Sequence, residues 1–335
     1  MNIIRHAAAV AAAVLTLGMT MPGTALSQGS VANPAANYPG RPVRLVVPFP
    51  PGASNDIISR LLAHKLGEFL GQQFVVDNRP GAGGLIGGEI AANAAPDGHT
   101  LLFANPAPSI NSVLMSRKPP YKLSDFAPVM FIGYVPLIIV SAPSFPPSDG
   151  KQLLAYAKAN PGKVNWASSG NGSSLHIGLA LFQAATGTDV VHVPYKGTAP
   201  ALTDVIAGRV NLMYTTSVSA DGHIKSGKVK VLAVAAPKRQ EVLPGVPTLA
   251  EEGIKNAEAT VWFGVSAPAR TPRAIIGKLN AQLNRALALP DVKKRLDELG
   301  LVVGGGSPEE FAAFLRNEAD KMSGLIKTGR VQMSN

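Results

Sequence analysis

The chain has no cysteine among its 335 residues. That excludes disulfides, thiolate metal sites, a cysteine nucleophile and a lipid-modified N-terminal cysteine. Charge is sparse as well: 16% of residues are charged against 46% apolar, the balance of a packed chain rather than a disordered one. No basic run interleaves with the few aromatics, so nucleic acid is not an expected partner. The six histidines form no H-E-x-x-H pattern, and neither a metal nor a cofactor is expected. A P-loop Gly-Lys-Ser/Thr and a G-x-S-x-G nucleophile elbow are both missing. After residue 27, no stretch is apolar for the ~20 residues that a membrane-spanning helix needs.

What is present begins with an address. Arg5 is the one formally charged residue before the apolar run Ala7–Thr20, and Ala25-Leu26-Ser27 places small residues at the key cleavage positions. This predicts a signal peptide over 1–27, cut near Ser27–Gln28, with a loose leader over 28–37. The expected location is the periplasm. The formal net charge is +10, with Lys and Arg scattered along the chain. Such a surface favours small anionic partners and speeds their encounter.

β-rich apolar runs recur at Val43–Val47, Phe74–Val76, Leu101–Ala104, Leu137–Ser141, Val164–Ala167, Val190–Val193, Val210–Tyr214 and Val229–Ala235. Helical periodicity lies between most of them. Ile58, Leu61, Leu62, Leu66 and Phe69 mark one helix over 55–70; Leu175, Leu179 and Phe182 mark another over 174–186. Alternation of this kind predicts an α/β fold of open, mostly parallel sheets flanked by helices. A ligand in such a fold sits beyond the carboxyl ends of the strands. The C-terminal quarter reads as helical. Thr271-Pro272 suits a cap and first helical residue, and Ser307-Pro308-Glu309-Glu310 is a capping box.

Four strand-to-helix junctions carry the chemistry. "PFPPGASND" (48–56) holds a rigid turn before Ser54, Asn55 and Asp56, which can cap a helix or help its free amides hold an anion. "NRPGAGGLIGG" (78–88) begins like a dinucleotide fingerprint, but Ile86 stands where the third glycine belongs. What remains is a turn at Gly81, Ala82 and Gly83 that lets backbone approach a small ligand. "WASSGNGSSLHIG" (166–178) brings Ser168, Ser169, Gly172 and Ser173 to a helix start, with His176 as an orienting donor or a packed residue. "HVPYKG" (192–197) ends a strand at Tyr195, Lys196 and Gly197. A hydrolase using Ser173 or Ser174 is the rival reading, weakened by the missing elbow.

These stretches carry a resemblance. "PFPPG" with its following Ser and Asp, "NRPGAGG", "APDGHTLL" (95–102), "YAKANPGKVN" (156–165), "VPYKG", "IKSGKVKVLAV" (224–234) and "WFGVSAPARTP" (262–272) together resemble the Bug-type extracytoplasmic solute receptors of tripartite tricarboxylate transporters. The resemblance runs over about residues 38–330. It implies a two-lobed periplasmic binding protein of type II-like fold, with two hinge-crossing segments, that closes on a small organic anion. It implies a monomer that works with the membrane components of a tripartite transporter, without catalysis. By position, Ser54, Asn55, Asp56 and Gly81–Gly83 would serve from lobe one. Ser168, Ser169, Gly172, Ser173 and His176 would hold a carboxylate from lobe two, with Tyr195–Gly197 nearby. Asn105 is a further candidate in the proline-rich "ANPAPS" (104–109). Lobe one is expected over 38–140 plus 261–335 and lobe two over 141–260. Departures from the usual pattern are Ala53, Asn55 and Leu85, where the family commonly has glycine, threonine and asparagine. The implied ligand is a mono- or dicarboxylate, aromatic acids included, or an amino acid. A receptor that senses without transport is the alternative.

Overall fold

Apart from Arg44, strand β1 (Val43–Val47) is built of valine and leucine side chains, and nearly all of it is buried. A computed structural model describes residues 34–104 and 119–327. In it β1 pairs in parallel with β2 (Phe74–Asn78) on one side and β3 (Thr100–Ala104) on the other. Helix α1 (Ser54–Leu70) joins β1 to β2 and packs back on both. Its Ile58, Leu62 and Leu66 are buried at helical spacing, each contributing about 1.5–3 kcal/mol of transfer free energy. Gly71, in the left-handed conformation that suits glycine, ends it. Helix α2 (Leu85–Ala92) follows β2.

Strand β4 (Phe126–Ser141) is the long one. From Phe126 to Pro136 it runs antiparallel to β9 (Thr260–Pro268), which also pairs with β3. From Leu137 onward it runs antiparallel to β7 (Leu212–Thr216) and β8 (Lys230–Val234) instead. One strand therefore belongs to two sheets, and the exchange of partners falls at Pro136, which has no N–H to give to either ladder. In the second sheet β5 (Asn165–Ser168) is parallel to β6 (Val191–Pro194) and to β7. The sheets are mixed. The strands that feed the junction loops are parallel, as alternation implies, while β4, β9 and the short β10 (Val302–Val303) add antiparallel pairs. The 126–136 half of β4 was not legible as a strand. Its prolines and Gly133 break the pattern, and the register shifts at Pro128/Met130 and Phe131/Gly133 absorb them.

The second sheet carries α3 (Gly150–Ala159), α4 (Ser174–Thr186), α5 (Thr198–Ile206) and α6 (Ser217–Lys225). Helices α7 (Arg273–Ala288), α8 (Pro290–Glu298) and α9 (Pro308–Lys327) follow β9. The predicted box at α9 is present: the Ser307 amide donates to Glu310 Oε2 at 2.6 Å, and the Glu310 amide donates to Ser307 Oγ at 3.1 Å. The start of α7 differs from expectation by one residue. Pro272 itself is extended and occupies the cap position, so Thr271 lies outside and its buried hydroxyl has no partner among the described residues.

From Pro34 onward the described residues form one unit. The anchoring begins before the expected leader boundary, since Lys278 Nζ donates to the carbonyls of both Ala35 and Tyr38. The predicted signal peptide and Asn105 lie outside the described residues. Among the described residues no helix is long and apolar enough to cross a membrane.

Candidate functional site

The loop Pro48–Ala53 leaves the carboxyl end of β1 and is tied down from beneath. Asp56 Oδ2 accepts the Gly52 amide at 3.0 Å, and Oδ1 accepts Arg60 Nε at 2.9 Å and Asn78 Nδ2 at 3.1 Å. The same Asn78 amide donates to the Phe49 carbonyl at 2.9 Å. Burial pushes the Asp56 carboxyl up, but the hydrogen bonds from Arg60, Gly52 and Asn78 outweigh it and hold its pKa below the usual value. Asp56 is thus a buried anchor turned away from the cleft. Nor is a hydroxyl the cap of α1. Ala53 holds that position with no side-chain bond, which leaves the first amides of α1 to find other partners.

The first of those amides reaches the second sheet. The Ser54 N–H donates to Ser219 Oγ at 2.9 Å, across 165 positions of sequence. Ser219 is held in turn by Thr216, the cap of α6, whose Oγ1 accepts the Ser219 amide at 3.1 Å and donates to Ser219 Oγ at 3.1 Å. At the mouth, Gly197 lies against the ring of Pro50, and a Cβ on Gly170 would stand 3.6 Å from the Gly83 amide nitrogen. The two sheets' loops meet, and the cleft is closed.

Two neighbouring cavities lie within it, both bordered by Phe49 and Ser169. The inner one is small, with room for about one water-sized group in this closed arrangement. The first residues of α1, α4 and α5 and the cap of α6 all reach it, through Ser54, Asn55, Ser174, Thr198 and Thr216. Each helix start carries about half a positive elementary charge, so the cavity favours an anion without any formally charged side chain. Two groups there are unsatisfied. Asn55 Nδ2 and Ser174 Oγ have no hydrogen-bond partner among the described residues, although their residues are only 4% and 7% exposed. A buried donor left unpaired costs about 1–3 kcal/mol. The outer cavity is the roomier of the two and is bordered by Gly81–Gly84, Asn171 and Pro194–Lys196. Gly81–Gly84 all have positive φ, Ala82 included at 47°, which turns this backbone sharply at the cavity wall.

Other sequence candidates stand behind this surface. Ser173 Oγ caps α4 by accepting the His176 amide at 3.3 Å. His176 Nδ1 accepts the Gly172 amide at 3.1 Å. Its ring stacks on that of His192, with centroids 4.0 Å apart and planes at 3°. Ser168 Oγ hydrogen-bonds His192 Nε2 at 2.6 Å and accepts the Gly170 amide. Burial lowers the pKa of both histidines, that of His192 to about 4 with His176 adding repulsion. So Ser168, Gly172, Ser173 and His176 shape the 168–174 loop and do not border either cavity. Tyr195 is fixed by its hydroxyl, which donates to Asp204 at 2.7 Å. Burial, then the Asp204 carboxylate, pushes its pKa up to about 12.

Sequence reasoning missed Phe49, Thr198, Thr216 and Ser219. The run "YTTSVS" (214–219) was the available signal for the last two, since a strand ends there on a threonine with a serine three positions on.

Comparison with known proteins decides the family. A family model described as "Tripartite tricarboxylate transporter family receptor" matches residues 58–330. The chain belongs to this receptor family. The Bordetella pertussis protein BugT is 36% identical to this receptor over 329 residues, 98% of each chain. A solved structure described as a periplasmic transporter shares 38% identity, with a TM-score of 0.86 over 89% of this chain and 100% of that one. An R. palustris receptor relative solved with adipate shares 34% identity and a TM-score of 0.84, covering 88% and 99%. MatC from Rhodopseudomonas palustris, with bound malate, shares 33% and a TM-score of 0.82, covering 86% and 100%.

Proposed function

We propose that the protein captures a small carboxylate between its two sheets, in the periplasm, and presents it to the membrane components of a tripartite transporter. The observation that carries this reading is the inner cavity, where four helix starts converge beside the unpaired Asn55 and Ser174 side chains. A carboxylate fits that chemistry. It brings acceptor lone pairs for the free donors and a negative charge for the helix ends. Adipate and malate in the relatives' structures point the same way. The signal-peptide pattern of residues 1–27 and the periplasmic relative support the location.

Within this reading, Ser54, Asn55, Ser169, Gly81–Gly83, Tyr195 and Lys196 face the ligand. Ser168, Gly172, Ser173, His176, Gly197 and Asp56 hold the loops in shape. Lobe one is 38–140 with 261–335 and lobe two is 141–260, closing as a monomer about the partner exchange in β4. The protein acts without covalent chemistry. The close pair Ser168–His192 has the spacing of a nucleophile and its base, but Ser168 is fully buried and borders neither cavity.

The test is thermal melting of the purified protein against mono-, di- and tricarboxylates, with native mass spectrometry of each complex. A ligand at about 100 times its dissociation constant adds about 2.7 kcal/mol of stability and raises the melting temperature by several degrees. The compound must be recovered unchanged. Turnover, or no stabilisation by any carboxylate together with no bound anion in the protein as purified, would sink the proposal.

A further inference from the structure

A further cavity lies outside the cleft, on the other face of the hinge. It measures about 1060 Å³, at the upper end of the roughly 300–1,000 Å³ of small-molecule sites. Tyr134 and Pro136 of β4, Thr260 of β9 and the segment 236–242 after β8 border it on one side, and the end of α7, α8 and β10 on the other. Thr260 faces this rear cavity, while Val261, the next residue of β9, faces the inner cavity of the cleft. Successive side chains of a strand point to opposite faces, so a single strand separates the two sites. The start of α6 stands between them as well. Thr216 and Ser219 border the cleft, while Ser217 Oγ donates to the Leu299 carbonyl at 2.8 Å, next to Gly300 of the rear cavity.

The chemistry of this cavity differs from that of the cleft. Few large apolar side chains are exposed among the described residues, and two of them, Tyr134 at 36% and Val302 at 46%, stand opposite each other here on paired strands. The rim carries no net charge. Lys238, Arg239 and Lys293 are matched by Glu241, Asp297 and Glu251, the last of which holds Arg239 at 3.0 Å. One polar atom is left over. Gln240 is 6% exposed, its Nε2 donates to the Pro136 carbonyl at 3.1 Å, and its Oε1 has no partner among the described residues. That oxygen lies beside Gly300, where a Cβ would stand 3.2 Å from it. A buried acceptor without a partner favours an occupant that donates to it.

We propose that the rear cavity is an effector site for an uncharged fused-ring aromatic molecule with one N–H or O–H donor, and that its occupant favours the closed receptor. The rings lie against Tyr134 and Val302, and the donor meets Gln240 Oε1. The coupling follows from where the walls come from. They belong to both sides of the partner exchange in β4, so the width of the cavity changes as the sheets rotate about Pro136. Closing the cleft on one face of a hinge spreads the opposite face. A molecule that fits the cavity in this closed arrangement therefore holds the sheets closed. By linkage it raises cleft affinity by the same factor by which a cleft ligand raises its own. The site does not depend on which anion the cleft takes.

The probe is 2-naphthol, titrated by calorimetry into the ligand-stripped receptor. Beside it run 2-methoxynaphthalene, which lacks the donor, and 2-naphthylmethylammonium, which adds a charge that an anion-favouring cleft rejects. The native receptor is expected to bind 2-naphthol, with the ether and the ammonium each about fivefold weaker or more. Val302→Lys and Tyr134→Lys, both at exposed positions, should each weaken 2-naphthol by about tenfold or more with circular dichroism unchanged. Single-molecule energy transfer across the cleft reads the coupling. Saturating 2-naphthol should raise the ratio of closed to open anion-free receptor about threefold or more, and should not do so in Val302→Lys. No binding of 2-naphthol overturns the proposal, as does binding that neither lysine variant weakens, which would place the molecule elsewhere. Equal binding of the ether or the ammonium overturns the assigned ligand class, and an unchanged or lower closed fraction at saturation overturns the coupling. A receptor that ignores 2-naphthol yet still closes on a carboxylate would leave the cleft reading standing and this one fallen.

Discussion

Gly197 meets the ring of Pro50 across the mouth of the cleft, at φ +138°, and a Cβ there would overlap the Pro50 ring. Gly197→Ala therefore acts twice, through a backbone conformation that alanine avoids and as a wedge between the two sheets. The expected outcome is a protein with native circular dichroism that no longer compacts in solution scattering when ligand is added. Compaction equal to the native protein's would show that the wedge is accommodated. His192 gives a second test at this scale. Its folded pKa is about 4 against an ordinary 6.5, lowered by burial and by His176. The unfolded chain then binds the extra proton first as pH falls, so stability drops between pH 6.5 and about 4 and is fully retained above that window. Melting curves across that window should be steeper for the native protein than for His192→Gln. Parallel curves would mean that the buried stack with His176 carries no such linkage. Legibility at this scale followed local chemistry. Ser54, Asn55, Ser169 and Lys196 could be read because they close strand-to-helix junctions. Ser219 could not, because its significance lies in one hydrogen bond to an amide 165 positions away. Phe49 read as part of a proline turn, and nothing local showed that it would border both cavities.

Helix starts are the elements on which the cleft depends, and they are capped in different ways. Ser173 caps α4 directly behind the 168–174 loop, while Ser307 caps α9 and borders neither cavity. Replacing either by alanine removes one side-chain bond to a helix amide and costs about 1 kcal/mol. The two should part company in binding. Ser173→Ala frees the His176 amide and loosens the Ser174 end of α4, so denaturant midpoint and carboxylate affinity should both fall. Ser307→Ala should lower the midpoint alone. Equal affinities for the two variants would mean that the α4 start is held by its backbone and not by its cap. Element boundaries were read most accurately where apolar periodicity and an end signal coincide, as for α4 between Ser173 and Gly187. They were read least well in β4, whose prolines are tolerated only because bulges and a change of partner sheet fall at them.

At the scale of the whole molecule, closure in this structure is made by the protein's own groups. The first amide of α1, a natural donor to a ligand, is taken up by Ser219. Behind the exchange in β4, Ser217 Oγ donates at 2.8 Å to the Leu299 carbonyl, joining α6 to the end of α8. A receptor that can close on itself loses little on ordering when ligand arrives, but the Ser54–Ser219 bond also competes for an amide that faces the cavity. A single hydrogen bond of this kind contributes about 0.5–1.5 kcal/mol, which is roughly a two- to tenfold change in the ratio of closed to open forms. Ser219→Ala should shift the ligand-free protein toward the open form by that factor, while saturating ligand restores closure. The chain suits the measurement: with no native cysteine, two introduced ones on opposite sides of the cleft take a dye pair without background, and single-molecule energy transfer counts the two populations. Identical ligand-free distributions for native protein and Ser219→Ala would mean that contacts at the mouth and behind the hinge, not the α1 amide, set the resting state.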